Sequence, residues 1–93
     1  MIKSFNNKTT EALFNREVPK GFPEDLAKRA YRKLLIIDAA FKLNDLRVPP
    51  GNRLEALSGN RRGQHSIRIN DQFRICFKWK NNHAYQVEIT DYH

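Results

Sequence analysis

The sequence predicts an α+β fold, with two N-terminal helices packed on one face of a small, mainly antiparallel sheet in the order β-α-α-β-β-β-β. Three observations predict it. Apolar residues recur at helical spacing through Leu26, Ala30, Leu34, Ile37 and Phe41. From Gln64 onward the period changes to two, and apolar and polar residues alternate in three short runs. Between these stretches the chain is broken by Val18-Pro19-Lys20-Gly21-Phe22-Pro23 and by Val48-Pro49-Pro50-Gly51-Asn52, which read as loops.

Taken in order, Ile2 to Asn6 is a plausible first strand, with Ile2 and Phe5 apolar. A short helix follows over Asn7 to Phe14, with Asn7 as N-cap, because its side chain can accept from the unpaired amides of the first turn. The long helix is expected from Pro23 to Leu43. Proline suits its first turn, and Glu24 and Asp25 meet the positive end of its dipole. Tyr31, Leu35 and Ala39 widen its apolar stripe, while Lys28, Arg29, Arg32, Lys33 and Lys42 read as a solvated face. Arg53 to Leu57 is expected as a strand and Ser58 to Gly63 as a turn with Arg61 and Arg62 at its tip. Strands then run over Gln64 to Asn70, Phe73 to Lys80 and Tyr85 to Tyr92. The first two are joined by Asn70-Asp71-Gln72 and the last two by the two-residue turn Asn81-Asn82, giving a meander.

Ninety-three residues without an internal repeat or linker make one domain, residues 1–93. With 17 Lys+Arg against 10 Asp+Glu, the net charge of +7 favours a polyanionic partner, nucleic acid or an acidic protein. The single cysteine, Cys76, sits in an apolar strand and is expected to be a buried thiol. No Cys/His cluster has metal-ligand spacing, so neither a metal nor a cofactor is expected. No leader or membrane-spanning run is seen, and a cytoplasmic location is expected.

Alternation sorts the strands into two faces. His65, Ile67, Ile69, Phe73, Ile75, Phe77, Trp79, Tyr85, Val87 and Ile89 form an apolar face for the helices to cover. Arg68, Arg74, Lys78 and Tyr92 project from the other face, an open cationic surface that carries a phenol. Asp91 has the parity of the apolar face. His65 and His83 are read as structural. Arg74 has a simple structural alternative, an ion pair with Glu88 on the neighbouring strand.

The runs Asn52-Arg53-Leu54-Glu55-Ala56-Leu57-Ser58-Gly59 and Gly63-Gln64-His65-Ser66-Ile67-Arg68-Ile69-Asn70, with Phe73-Arg74-Ile75-Cys76-Phe77 and Asp91-Tyr92-His93, resemble HigB and its relative GraT. These are toxins of type II toxin–antitoxin modules in the RelE/ParE-like group, and the similarity covers nearly the whole chain. It implies a ribosome-dependent endoribonuclease cutting messenger RNA, neutralised by a HigA-type helix-turn-helix antitoxin that alone would touch operator DNA. It also implies a catalytic set of Arg74, Asp91, Tyr92 and His93. Some HigB toxins carry a histidine and a lysine at the positions of Glu55 and Ser58, a departure that implies weaker or differently distributed activity.

RNA can be cut by its own 2′-hydroxyl, given a base, an acid and positive charge for the phosphorane oxygens. Arg74 is suited to the phosphate, since its planar fork stays charged at physiological pH. His93 or Asp91 can be the base and His93 or Tyr92 the acid, or Tyr92 can stack on a base of the RNA. The residues do not order these roles. Arg61, Arg62, Arg68 and Lys78 are the expected RNA-backbone contacts. Two other functions share the scaffold: a ParE-like gyrase inhibitor that binds without cutting, and a catalytically weak toxin that acts mainly with its antitoxin in transcriptional autoregulation.

Overall fold

The computed structural model describes residues 1–91. Helix α1 spans Lys8–Phe14 and helix α2 Glu24–Ala39; strands β1 Glu55–Ala56, β2 His65–Arg68, β3 Phe73–Lys80 and β4 His83–Asp91 form one antiparallel sheet in the order β1-β2-β3-β4. Single-turn 3₁₀ helices at Leu43–Arg47, Pro50–Asn52 and Gly59–Arg61 carry the chain between α2 and β2. The α+β architecture is therefore the expected one.

Local chemistry explains most element ends. Asn7 caps α1, its side chain accepting from the Thr10 amide at 2.9 Å. Thr10 is fully buried, and its Oγ1 accepts the Ile89 amide at 3.0 Å, which pins α1 to β4. The α2 stripe of Leu26, Ala30, Leu34 and Ile37 closes over Ile67, Ile75, Phe77 and Val87 in one buried cluster. Each Leu, Ile, Val or Phe side chain among them contributes about 1.5–3 kcal/mol on burial. Asn81 and Asn82 both take left-handed φ, 52° and 65°, as a two-residue hairpin turn requires.

Several elements differ from expectation. Helix α2 stops at Ala39 rather than Leu43. Asp45 explains it, because its carboxylate accepts the Phe41 and Lys42 amides at 3.0 and 2.9 Å and starts a separate 3₁₀ turn. The first segment is not a regular strand. It makes two parallel bridges along β4, Ile2 with Ala84 and Phe5 with Val87. Strand β1 shrinks to Glu55–Ala56. Finally, Tyr85 leaves the apolar face. Cys76 pairs with Glu88 but Lys78 pairs with Tyr85, so Gln86 and Val87 together face Phe77. That bulge is built on Gln86, whose φ is 53° and whose N–H donates to Ser4 Oγ at 2.8 Å. Beyond it the parity reverses: Ala84 enters the core and Tyr85 joins Lys78 outside.

Candidate active site on the outer sheet face

Cross-strand partners share a face, so the pairing register lists what lies opposite the helices. One row runs Glu55, Ser66, Cys76, Glu88, and the next runs Arg68, Arg74, Thr90. The centre of this face is not the open surface that alternation suggested. Ser66 and Cys76 are fully buried and Arg74 is only 7% exposed.

Arg74 is the most heavily anchored side chain there. Its Nε donates to Ser66 Oγ at 2.7 Å, and its Nη2 donates to the Arg53 carbonyl at 2.7 Å and lies 3.1 Å from Glu55 Oε1. Glu88, its suggested structural partner, is engaged elsewhere. It accepts Arg61 Nη1 at 2.7 Å and Asn6 Nδ2 at 3.1 Å. Arginine–carboxylate pairs thus mark the face, among them Arg74 with Glu55 and Arg61 with Glu88. A planar guanidinium fixed by several acceptors has a fixed direction of charge, the property needed to hold a phosphate in one orientation.

The expected site residues are distributed unevenly around this centre. Arg68 is beside Arg74 in register and is ion-paired with Asp71. Arg61 reaches the face from its 3₁₀ turn, whereas Arg62 is exposed at the end of that turn. Lys78 is exposed and pairs with Tyr85, four residues along β3 and so roughly 13 Å from Arg74. Asp91 pairs with Phe73, one residue past the Arg74–Thr90 pair, so its side chain leaves the sheet on the other face, where it accepts Gln72 Nε2 at 3.1 Å. Tyr92 and His93 lie outside the described residues.

Sequence reasoning missed Glu55, Ser66 and the Arg53 carbonyl as partners of Arg74. For Glu55 the signal would have been the β1–β2 register, which two residues of strand are too few to reveal. Among the described residues, Thr90, opposite Arg74, keeps a buried hydroxyl without a hydrogen-bond partner, and His65 and His83 each hold a buried Nδ1 without one. His65 stacks on Phe77 at 6.4 Å, and burial, followed by the nearby Arg47, holds it below the ordinary histidine value. Among the described residues no group of His, Cys, Asp and Glu could hold a metal ion, and no helix is long and apolar enough to cross a membrane.

A sequence model described as the RelE-like toxin of the type II toxin–antitoxin system HigB matches residues 3–93. The chain belongs to the HigB-like toxin family. It is 51% identical to Toxin HigB-1 of Vibrio cholerae over 80 residues, 85% of this chain and 84% of that protein. It is 36% identical to the Endoribonuclease HigB of Proteus vulgaris over the full length of both. Among solved structures it is similar to the Staphylococcus aureus YoeB–YefM complex, with a TM-score of 0.61 at 21% identity, covering 100% of this chain and 98% of that one. A YafQ mutant from E. coli gives 0.58 at 13%, covering 98% and 93%. At such identities these two likenesses speak for the fold alone. As a HigB-like toxin of a type II module, the chain has an antitoxin as its partner.

Proposed function

We propose that this HigB-like toxin is an endoribonuclease that cuts messenger RNA on the ribosome, and that the outer sheet face around Arg74 is where the RNA is cut. The observation that carries the site is the buried guanidinium, held by Ser66 and the Arg53 carbonyl beside a half-exposed carboxylate, Glu55. The activity is supported by the full-length similarity to the Proteus vulgaris endoribonuclease.

In this reading Arg74 takes the scissile phosphate and stabilises the charge that builds on the phosphorane oxygens. Glu55, a carboxylate beside Arg74, accepts the proton of the 2′-hydroxyl as O2′ bonds to phosphorus. The bond from phosphorus to O5′ breaks, and His93 or Tyr92 supplies the proton to the leaving oxygen. A 2′,3′-cyclic phosphate remains on the upstream fragment. Asp91 has a positioning part, leading the chain from the Phe73 pair into Tyr92 and His93. Arg61, Arg62, Arg68 and Lys78 contact RNA backbone around this centre. The antitoxin is of the HigA helix-turn-helix type and is the member of the complex that meets operator DNA. The site of action is the cytoplasm, and residues 1–93 act as one folding unit.

The discriminating experiment is induction without antitoxin, following mRNA ends and plasmid supercoiling in the same culture. The expected result is new mRNA 5′ ends within coding regions before any change in supercoiling. Loss of supercoiling first, with intact mRNA, would point to a gyrase poison on the same scaffold. Normal growth with both intact would point to a weak toxin acting through its antitoxin.

A further inference from the structure

We propose that Asn52 is a positioning residue for Arg74, acting through the backbone carbonyl of Arg53. The inference rests on the nuclease reading of the outer face and deepens it.

Asn52 ends the Pro50–Asn52 3₁₀ turn and is fully buried although its side chain is an amide. Its Nδ2 donates to the Leu46 and Val48 carbonyls at 3.1 and 3.2 Å, and its Oδ1 accepts Lys33 Nζ at 2.5 Å. One side chain thus ties α2, the Leu43–Arg47 turn and Val48 to a single point. A buried amide satisfied on both ends specifies one loop conformation, because any other leaves its polar atoms unpaired.

What that conformation fixes is the next residue. Arg53 has φ 45° and ψ 57°, left-handed backbone that a residue with a β-carbon adopts at a cost. Its N–H donates to the Pro50 carbonyl at 3.1 Å, and its own carbonyl receives Arg74 Nη2 at 2.7 Å. Such conformations persist where the surroundings over-determine them, which the Asn52 contacts do. Lys33 anchors the far side, its amine held below the ordinary lysine value by burial and by Arg68. The chain of contacts runs from α2 through Lys33, Asn52 and the Arg53 carbonyl to the guanidinium, and sets where that guanidinium points.

A merely structural asparagine would lower stability without regard to Arg74. A double-mutant cycle on single-turnover cleavage of ribosome-bound mRNA separates the two, measured well below each variant's melting temperature. Asn52→Ala is expected to lower the saturating rate roughly tenfold, with the half-saturating toxin concentration little changed, as a misaimed catalytic group does. In an Arg74→Lys background the same change is expected to cost less than about twofold, since the fork it positions is already gone. An equal factor in both backgrounds, or no effect of Asn52→Ala, overturns the inference while leaving the nuclease site standing. An Arg74→Lys protein that cuts at the wild-type rate overturns the site itself and the inference with it. If Asn52→Ala does not fold, Lys33→Met removes one of the three contacts and reads the same cycle at roughly threefold.

Discussion

Arg74 and Ser66 are joined across the β2–β3 pair by a 2.7 Å bond from Nε to Oγ, with both residues buried. The contact makes a fold residue and a site residue of the same serine. Ser66→Ala leaves a charged donor with one acceptor fewer in a dry setting, and is expected to lower unfolding free energy by about 1.5–3 kcal/mol. Ser66→Thr retains the hydroxyl and is expected to recover most of the RNA cleavage that Ser66→Ala loses. Urea unfolding and a cleavage assay on the same preparations check both statements.

The Arg61–Glu88 pair fastens the turn before β2 to the outer face. Glu88 has only 16% side-chain exposure and Arg61 31%, which places the pair between a surface ion pair and a buried one. Arg61→Ala is expected to cost about 1 kcal/mol, more than Arg62→Ala, whose residue is exposed. Added salt should shrink the difference only slightly, because a partly desolvated pair is weakly screened. Thermal melts of the two variants at low and high salt make the comparison, and equal shifts would rule out a fastening role.

His65 gives a pH signature. Burial and then Arg47 hold it below its ordinary value of 6.5. A base whose folded value is below its unfolded value binds fewer protons when folded. Its contribution to stability is therefore complete above 6.5 and falls as pH drops from 6.5 through the folded value. His65→Phe removes that titration, so the variant should lose less stability than wild type between about pH 7.5 and pH 5. Urea midpoints at the two pH values test this; a larger loss in the variant would contradict it.

Glu55 offers a sharper test of the proposed chemistry. If its carboxylate takes the 2′-hydroxyl proton, Glu55→Gln lowers the saturating cleavage rate by roughly 10²-fold, with little change in half-saturation. A carboxylate that merely competes with phosphate for Arg74 would give tighter RNA binding at an unchanged rate. Single-turnover kinetics over a range of toxin concentration tell these apart.

How much of this was legible follows from where each signal lives. The α2 stripe from Leu26 to Ile37, the Asn7 cap and the Asn81-Asn82 turn are local, carried by periodicity and side-chain chemistry over a few residues, and all three stand. The buried Cys76 was equally local. Tyr85 was misplaced because one bulged residue, Gln86, reverses parity, and glutamine carries no sign of left-handed φ. The end of α2 was misread because Phe41 and Leu43 continue the helical spacing, while the Asp45 carboxylate captures the amides that would have continued the helix. At the site, the sequence singled out Arg74 by strand parity and resemblance. Its partners Ser66, Glu55 and the Arg53 carbonyl are 8, 19 and 21 positions away in sequence. Only the folded register brings them together.

The role proposed for Arg74 is to hold, through its fixed guanidinium, the phosphate that is cut. Arg74→Lys keeps the charge and removes the fork, so it is the measurement that isolates geometry. Mapped mRNA ends from ribosomes incubated with the variant should appear roughly 10²-fold more slowly than with wild type, while antitoxin binding is unchanged. Cleavage at the wild-type rate and at the same positions would contradict the account.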